Sequence, residues 1–371
     1  MKRTKKKAKP LIFLTAGGTG GHVYPAEALA EELLKRGYRL ALITDSRGKD
    51  NYKGHLGEIP NYAVWAGALV GKSKWFKLKS LFKTCIGILQ AGFLILKKRP
   101  KCVVGFGGYA SFPASMAAIL LGTDLILHEQ NAVMSRTNRF LSKYASLIAQ
   151  SFKNVKYTPA NVKTLLTGMP VRGAIVKTGE GKYKERVAAD AFQLLVLGGS
   201  QGAKVFSEVV PAAVAALDKT EQKKLKIFQQ CRKDDVTLVE NAYQGCNAQV
   251  VVSAFFDNMD ELYASTDLIV SRAGASSVSE IAIAGLPSVL VPLPIAADDH
   301  QSYNARTLGE AKGAEVIRQK DFMPETLALI LKEAIANPKK MKKMSDNAKK
   351  TAINDAAQRF ADAVEREISA R

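Results

Sequence analysis

Cysteine is scarce: four residues in 371, Cys85, Cys102, Cys231 and Cys246, with no C-x-x-C pair among them. Such spacing builds neither a zinc site nor a disulfide framework, and it fits free thiols in a reducing, cytosolic setting. Aspartates two residues apart are missing, which removes the D-x-D pair that would hold a divalent cation against a nucleotide diphosphate. No G-x-x-x-x-G-K-[ST] loop occurs, so P-loop hydrolysis of ATP is excluded. Apolar runs are short. Cys85 to Leu96, the most apolar stretch, is about half of the roughly 20 residues that cross a bilayer. The start, Lys2 to Lys9, has the charge of a signal n-region, but Leu11 to Leu14 is too short for its apolar core. It reads as a solvated basic tail ahead of a first strand.

What is present is length and an uneven charge. At 371 residues the chain is too long for one ordinary core and comfortable for two of roughly 150 to 200 residues each. Residues 1–160 carry 26 Lys and Arg against 8 Asp and Glu, so nearly all of the formal charge of +20 lies in the first half. That asymmetry implies an anionic partner for this half: nucleic acid, an anionic membrane surface or a phosphorylated substrate.

Short apolar, β-branched runs alternate with helical patterns: Leu11 to Thr15, Tyr38 to Thr44, Cys102 to Phe106, Asp124 to His128, Gln193 to Leu197, Val250 to Ser253, Leu268 to Ser271 and Ser288 to Leu293. The rhythm predicts βαβ units and parallel sheets covered by helices. A strand followed by Gly17-Gly18-Thr19-Gly20-Gly21 recurs as a strand followed by Gly198-Gly199-Ser200-Gln201-Gly202, 181 residues later. Two Rossmann-like domains follow, joined near Thr167 to Arg172, with a ligand cleft expected between them. The boundaries are set at 1–168, 169–345 and a C-terminal helical segment 346–371 packing back on the first domain.

Between Gly71 and Pro100, Trp75, Leu78, Phe82, Cys85, Ile86, Leu89 and Phe93 recur at helical spacing. The portion Cys85 to Leu96 reads as an ordinary helix packed on its sheet. The portion Lys72 to Lys83 sets Trp75, Phe76 and Phe82 among Lys72, Lys74, Lys77, Lys79 and Lys83, and reads as a contact with an anionic membrane surface.

The turn Gly17 to Gly21 precedes a helix-like run from Pro25, placing backbone N–H groups where an anion docks. A third glycine turn, Gly105-Phe106-Gly107-Gly108-Tyr109, also ends a strand. His22 is the only one of four histidines set in a glycine loop. It suits a general base for an attacking hydroxyl, or a structural histidine that holds the loop; His128, in His128-Glu129-Gln130-Asn131, is the rival base. Ser277 and Glu280 have the S-x-x-E spacing of a capping box. Glu280 can equally accept from ribose hydroxyls. Downstream, Asp298-Asp299-His300-Gln301-Ser302-Tyr303-Asn304 supplies amides for sugar hydroxyls.

Taken together, T-A-G-G-T-G-G-H at Thr15 to His22, G-F-G-G-Y at Gly105 to Tyr109, H-E-Q-N at His128 to Asn131, G-G-S-Q-G-A at Gly198 to Ala203 and R-A-G-A-S-S-V-S-E at Arg272 to Glu280 resemble the MurG family of N-acetylglucosaminyltransferases. The resemblance runs in consistent order from about Leu11 to Asn304. It implies a GT-B fold and inverting transfer of GlcNAc from UDP-GlcNAc to the 4-hydroxyl of undecaprenyl-pyrophosphoryl-MurNAc-pentapeptide, lipid I, giving lipid II. It also implies that Thr19, Gly20, Gly21, Asn131, Arg172, Ser200, Phe256, Ala275, Ser276, Ser277, Val278, Ser279, Glu280 and Gln301 meet the donor. Phe256 brackets uracil, Glu280 takes the ribose and Gln301 the sugar. Gly18, His22, Gly107, Gly108, Tyr109, His128 and Glu129 are implied to meet the acceptor, with His22 assisting deprotonation, and Lys72, Lys74, Trp75, Phe76, Lys79 and Phe82 to dock on the membrane. No metal and no tightly bound cofactor are implied, a divalent cation being at most a stimulant. The implied setting is peripheral, on the cytoplasmic face of the inner membrane, beside cell-wall synthesis or division proteins.

The chain departs from the family pattern in three places: Met134-Ser135 where Pro-Gly is usual, Met169 where Asn precedes Pro170-Val171-Arg172, and His300 where a first Gln is usual. The first two bear on loop shape and the third on sugar selectivity. A related glycolipid synthase would share the donor helix and the membrane patch, and a nucleotide-sugar epimerase the two-domain cleft. A nucleic-acid binder would use the basic half, but no RNP-like aromatic motif or zinc spacing accompanies it.

Overall fold

The structure, a computed structural model, describes residues 9–17, 20–46, 52, 54–67, 74–181, 183, 191–199 and 202–370. The chain forms two compact α/β units: Met1–Arg172 with Asp355–Arg371, and Gly173–Asn354.

In the first unit the strands are β1 (Leu11–Thr15), β2 (Arg39–Thr44), β3 (Asn61–Ala63), β4 (Cys102–Gly105), β5 (Asp124–Glu129), β6 (Leu147–Gln150) and β7 (Thr164–Leu166). They form one parallel sheet in the order β3-β2-β1-β4-β5-β6-β7. Strands covered on both faces are apolar without alternation, as Ile12, Phe13, Leu14, Val103 and Val104 show; all are fully buried. The order reverses between β1 and β4, so the connections after these two strands leave to opposite faces and a crevice opens at their C-terminal ends.

The helix after β1 spans Gly20–Lys35 with Pro25 inside it, starting earlier than Pro25, where the sequence pattern put it. First-turn N–H groups have no intrahelical partner, so glycine costs little there, and Pro25 withholds only the N–H that would meet the Gly21 carbonyl. The terminal helix Ala356–Ser369 lies against it and sends Phe360, Ala361, Val364 and Ile368 into the core beside Leu29 and Leu33. Arg36 clasps the two helices through Asp362 (2.6 Å) and Glu365 (2.8 Å).

Lys74–Lys98 is one helix of 25 residues. Its buried seam is Ser80, Thr84, Gly87, Ala91 and Ile95, of which all but Ile95 are small and let backbones close in: a Cβ on Gly87 would lie 1.7 Å from the Trp65 carbonyl oxygen. The expectation that Cys85 to Leu96 is a packed helix holds along this seam, through Gly87, Ala91 and Ile95, but not for its large side chains. Leu89, Phe93 and Leu96 are 74%, 63% and 62% exposed, because the small seam faces inward and the large side chains face out. By length and composition the helix is apolar enough to cross a membrane, yet the seam is buried along it.

The second unit repeats the plan with β8 (Phe192–Leu197), β9 (Leu225–Gln230), β10 (Gln249–Ser253), β11 (Leu268–Ser271), β12 (Ser288–Leu290) and β13 (Ala314–Val316). This parallel sheet has the order β10-β9-β8-β11-β12-β13, reversing between β8 and β11. Its core joins Phe206, Val210 and Val214 of the helix Lys204–Ala215 to Leu327 and Leu331 of the helix Pro324–Ala336.

Phe360 is fully buried, stacks on His128 at 5.1 Å and meets Phe106 edge-on at 6.0 Å. Phe360→Ala is expected to destabilise the first unit by about 3–5 kcal/mol. Urea unfolding read by probes in each unit checks this; an unchanged midpoint for the first unit would refute the docking of the terminal helix.

Candidate functional site

In the first unit the sequence-selected residues gather at the tips of β1, β4 and β5. A Cβ on Gly17 would fall 2.6 Å from Ala110 Cβ, so the turn after β1 packs directly on the helix Gly108–Leu120. Gly18 and Thr19 lie outside the described residues. Gly20 and Gly21 open the helix that carries His22 in its first turn. At the tip of β4, Gly107 and Gly108 have φ of +76° and +74°, a region glycine enters freely. A Cβ on Gly108 would stand 3.2 Å from His22 Nε2.

His22 Nδ1 is 2.7 Å from the Phe106 carbonyl oxygen. A carbonyl only accepts, so Nδ1 carries the proton of the neutral ring and Nε2 keeps its lone pair on the side of Gly108. Burial pushes the His22 pKa below the usual histidine value, outweighing its hydrogen bonds to the Phe106 carbonyl and to Gln130. The ring is neutral at pH 7, with its base nitrogen turned away from the anchoring carbonyl.

His128 and Glu129, expected to meet an acceptor, are instead fully buried. Burial drives His128 down to about 3, and its Nε2 lies 3.2 Å from Ser151 Oγ. Glu129 accepts from the backbone N–H of Asn131 (3.0 Å) and Ser135 (2.9 Å) and from Asn138 Nδ2 (2.8 Å). Burial pushes its carboxyl above the usual range, against these bonds. The two residues build the loop from within, and the side chain of half-buried Asn131 also hydrogen-bonds Glu129. The departures Met134-Ser135 and Met169 are absorbed locally. Met134 is buried, Ser135 caps the helix Arg136–Leu141, and Met169 packs its sulfur 3.8 Å from Ser151 Oγ.

Tyr109 Oη donates to Asp45 Oδ2 at 3.1 Å, tying the glycine turn after β4 to the end of β2. Arg172 stacks on the Tyr24 ring at 4.8 Å, and its buried Nε has no hydrogen-bond partner. Lys74, Trp75, Phe76, Lys79 and Phe82 are all exposed on the first turns of their helix; Lys72 lies outside the described residues. Two residues escaped the sequence reading. Gln130 and Asn138 are buried amides within this hydrogen-bonded set, and an amide two residues after a selected histidine is the signal that marks the first.

In the second unit the turn after β8 contains Gly199 at φ +80° and Gly202 at φ +68°, with Ser200 outside the described residues. The helix after β11, Ala275–Ala284, has Gly274 as its N-cap residue and no side-chain cap. This overturns the capping-box alternative: Ser277 and Glu280 sit inside the helix. Without a cap, the N–H groups of Ala275, Ser276 and Ser277 remain for an anion. Ala275 and Val278 are buried, half-buried Ser276 holds its Oγ without a partner, and Ser279 is half-buried. Glu280 is buried and accepts from Tyr263 Oη at 3.0 Å.

Gln301 Oε1 accepts from the backbone N–H of Ala273 (3.2 Å) and Leu293 (3.0 Å). Both partners are donors, so the oxygen faces them and the amide nitrogen faces the other way. His300 Nδ1 donates to the Ala297 carbonyl at 2.8 Å, leaving Nε2 as an acceptor in the neutral ring. Asp298 and Asp299 just before it hold φ of +52° and +54°, backbone strain of the kind that gathers at functional loops. Half-buried Phe256 meets Phe228 edge-on at 6.1 Å.

Residues 12–150 match the glycosyltransferase family 28 N-terminal domain and residues 193–360 the family 28 C-terminal domain. The chain is 43% identical over 358 residues to the UDP-N-acetylglucosamine–N-acetylmuramyl-(pentapeptide) pyrophosphoryl-undecaprenol N-acetylglucosamine transferase of Paramagnetospirillum magneticum, covering 96% of each chain. To the protein of the same name from Rhodospirillum rubrum it is 42% identical, over 95% of this chain and 91% of that one. Among solved structures it resembles Acinetobacter baumannii MurG, with a TM-score of 0.76 and 30% identity over 96% of this chain and 99% of that one.

Proposed function

We propose, because the chain belongs to glycosyltransferase family 28 in both of its halves, that it transfers GlcNAc from UDP-GlcNAc to undecaprenyl-pyrophosphoryl-MurNAc-pentapeptide, the step from lipid I to lipid II in peptidoglycan synthesis. The observation that carries this is the 43% identity to a transferase of that name along 96% of both chains. A glycolipid synthase or an epimerase with the same GT-B fold is not what such identity supports.

Within that reading the second unit takes the donor. The uncapped N–H groups at Ala275 to Ser277 receive the diphosphate, Glu280 accepts from the ribose hydroxyls, and the Gln301 amide donates to the sugar. Phe256 flanks the uracil. The first unit supplies the base. His22 Nε2 takes the proton of the muramyl 4-hydroxyl as its oxygen attacks C1 of GlcNAc from the face opposite UDP; the C1–oxygen bond to the diphosphate breaks and the configuration inverts. Arg172, lacking a partner at Nε, supplies a cation for the departing UDP. The proposed transfer runs without a resident cofactor. Support for a peripheral place on the cytoplasmic face of the inner membrane comes from Lys74, Trp75, Phe76, Lys79 and Phe82, which expose aromatics beside lysines.

Purified protein with labelled UDP-GlcNAc and a short-chain lipid I analogue is expected to label that analogue and not diacylglycerol; the reverse would sink the assignment. His22→Ala should lower kcat by roughly 10²–10⁴. Because its pKa is lowered, His22 stays a base below pH 6.5, so the acid limb of kcat/KM should have its midpoint under 6.5. Tyr263→Phe removes the hydroxyl that orients Glu280 and should raise the KM for UDP-GlcNAc several-fold, about 1 kcal/mol, with kcat little changed. Trp75→Ala with Phe82→Ala should reduce co-sedimentation with anionic vesicles while leaving turnover of a water-soluble acceptor intact; unchanged co-sedimentation rejects the membrane reading.

A further inference from the structure

Gln130 reaches the His22 ring both directly and through a carbonyl oxygen that the two side chains share. Gln130 is 3% exposed and follows β5 directly. Its Nε2 donates to the Phe106 carbonyl at 2.6 Å, the same oxygen that accepts from His22 Nδ1 at 2.7 Å. A carbonyl oxygen has two lone pairs, and these two donors use both. The second hydrogen of Nε2 faces His128 Nδ1 at 3.3 Å. The amide cannot be reversed, since its oxygen would then stand against a carbonyl. With His128 Nδ1 accepting, the neutral His128 ring carries its proton on Nε2, which lies 3.2 Å from Ser151 Oγ. His128 cannot swing, being fully buried and stacked on Phe360 at 5.1 Å.

The Phe106 peptide is thus pinned on both sides. Its N–H donates to the Thr15 carbonyl at 3.0 Å, and its carbonyl receives His22 and Gln130. We infer that Gln130 is a positioning residue for His22: by sharing the Phe106 carbonyl from the anchored side of the loop, it holds that oxygen where only the Nδ1-protonated His22 fits, so Nε2 is kept free. This rests on the reading of His22 as the base. Gln130 acts through the carbonyl and the ring and does not touch the reacting atoms.

Two variants test it. Gln130→Met keeps the length and apolar bulk but removes the donor. Gln130→Glu puts an acceptor where the donor stood, which repels the carbonyl and draws the His22 Nδ1 proton to itself. Ring nitrogens are followed by ¹⁵N NMR on protein labelled at histidine; the chain has four histidines, and His22→Gln assigns the signal. The wild-type ring should show one tautomer, protonated at Nδ1. Gln130→Met should give a mixture of tautomers and lower kcat about tenfold to a hundredfold, with the KM for UDP-GlcNAc within twofold. Gln130→Glu should shift the ring toward imidazolium at neutral pH and lower kcat further. The His128 ring signal reports whether the surrounding fold survives. A single Nδ1-protonated tautomer retained in both variants overturns the inference, as does a fall in kcat without any change in the His22 ring. A tautomer mixture with unchanged kcat leaves the positioning intact and removes His22 as the base. If Gln130→Met does not fold, Gln130→Glu alone decides by the same ring signal.

Discussion

Both units depend on one constraint of parallel sheets: all strands end on the same edge, and where the strand order reverses, the chain leaves neighbouring strands toward opposite faces. In the first unit the reversal lies between β1 and β4, and in the second between β8 and β11. Four of the five motifs that distinguish this chain sit at those four strand ends, and the fifth, His128 to Asn131, ends β5. Glycine turns follow β1, β4 and β8, and the uncapped helix Ala275–Ala284 follows β11. The register makes the arrangement tight: Thr15 is opposite Gly105 and Gly105 opposite Leu127, so the next residues along, Ala16, Phe106 and His128, stand side by side.

That tightness explains the glycines better than phosphate approach alone. Gly17 has no room for a side chain because Ala110 of the neighbouring helix is already there. Gly108 has a left-handed φ and lies under the His22 ring. A turn of this kind spends its backbone freedom on bringing two helix starts together. The second unit follows the same rule with different parts, its turn closing on Arg232 through Gly202.

The strands along the reversals were legible because burial on both faces makes them continuous apolar runs, as in Leu11–Thr15 and Leu268–Ser271. Strands with mixed surroundings were not. Leu225–Gln230 alternates buried and half-buried positions and ends in two glutamines, and Asn61–Ala63 is three half-exposed residues on a sheet edge. At the site, His22 was legible from its glycine setting, but its tautomer was not, since that depends on a carbonyl 84 positions away. The S-x-x-E spacing of Ser277 and Glu280 misled in one respect: a capping box requires the helix to start at Ser277, and it starts at Ala275. The role of Gln130 is not legible in its motif, because only the fold brings its amide and His22 to one oxygen.

The helix Lys74–Lys98 shows how a sequence rule can invert. An amphipathic helix ordinarily buries its large apolar residues and exposes its small ones. Here Ser80, Thr84, Gly87 and Ala91 face inward and bring the helix within touching distance of the Trp65 backbone, while Trp75, Leu78, Phe82, Leu89 and Phe93 face out. A close seam of small side chains gains mainly by dispersion and leaves the larger hydrophobic gain unrealised on the outer face. Contiguous exposed apolar surface of this kind is the usual character of a protein or membrane contact face. The lysines set among its first turns favour an anionic lipid surface over an apolar protein face, since buried interface cores are depleted in charge. The excess of positive charge in residues 1–160 has the sign that such a surface would require.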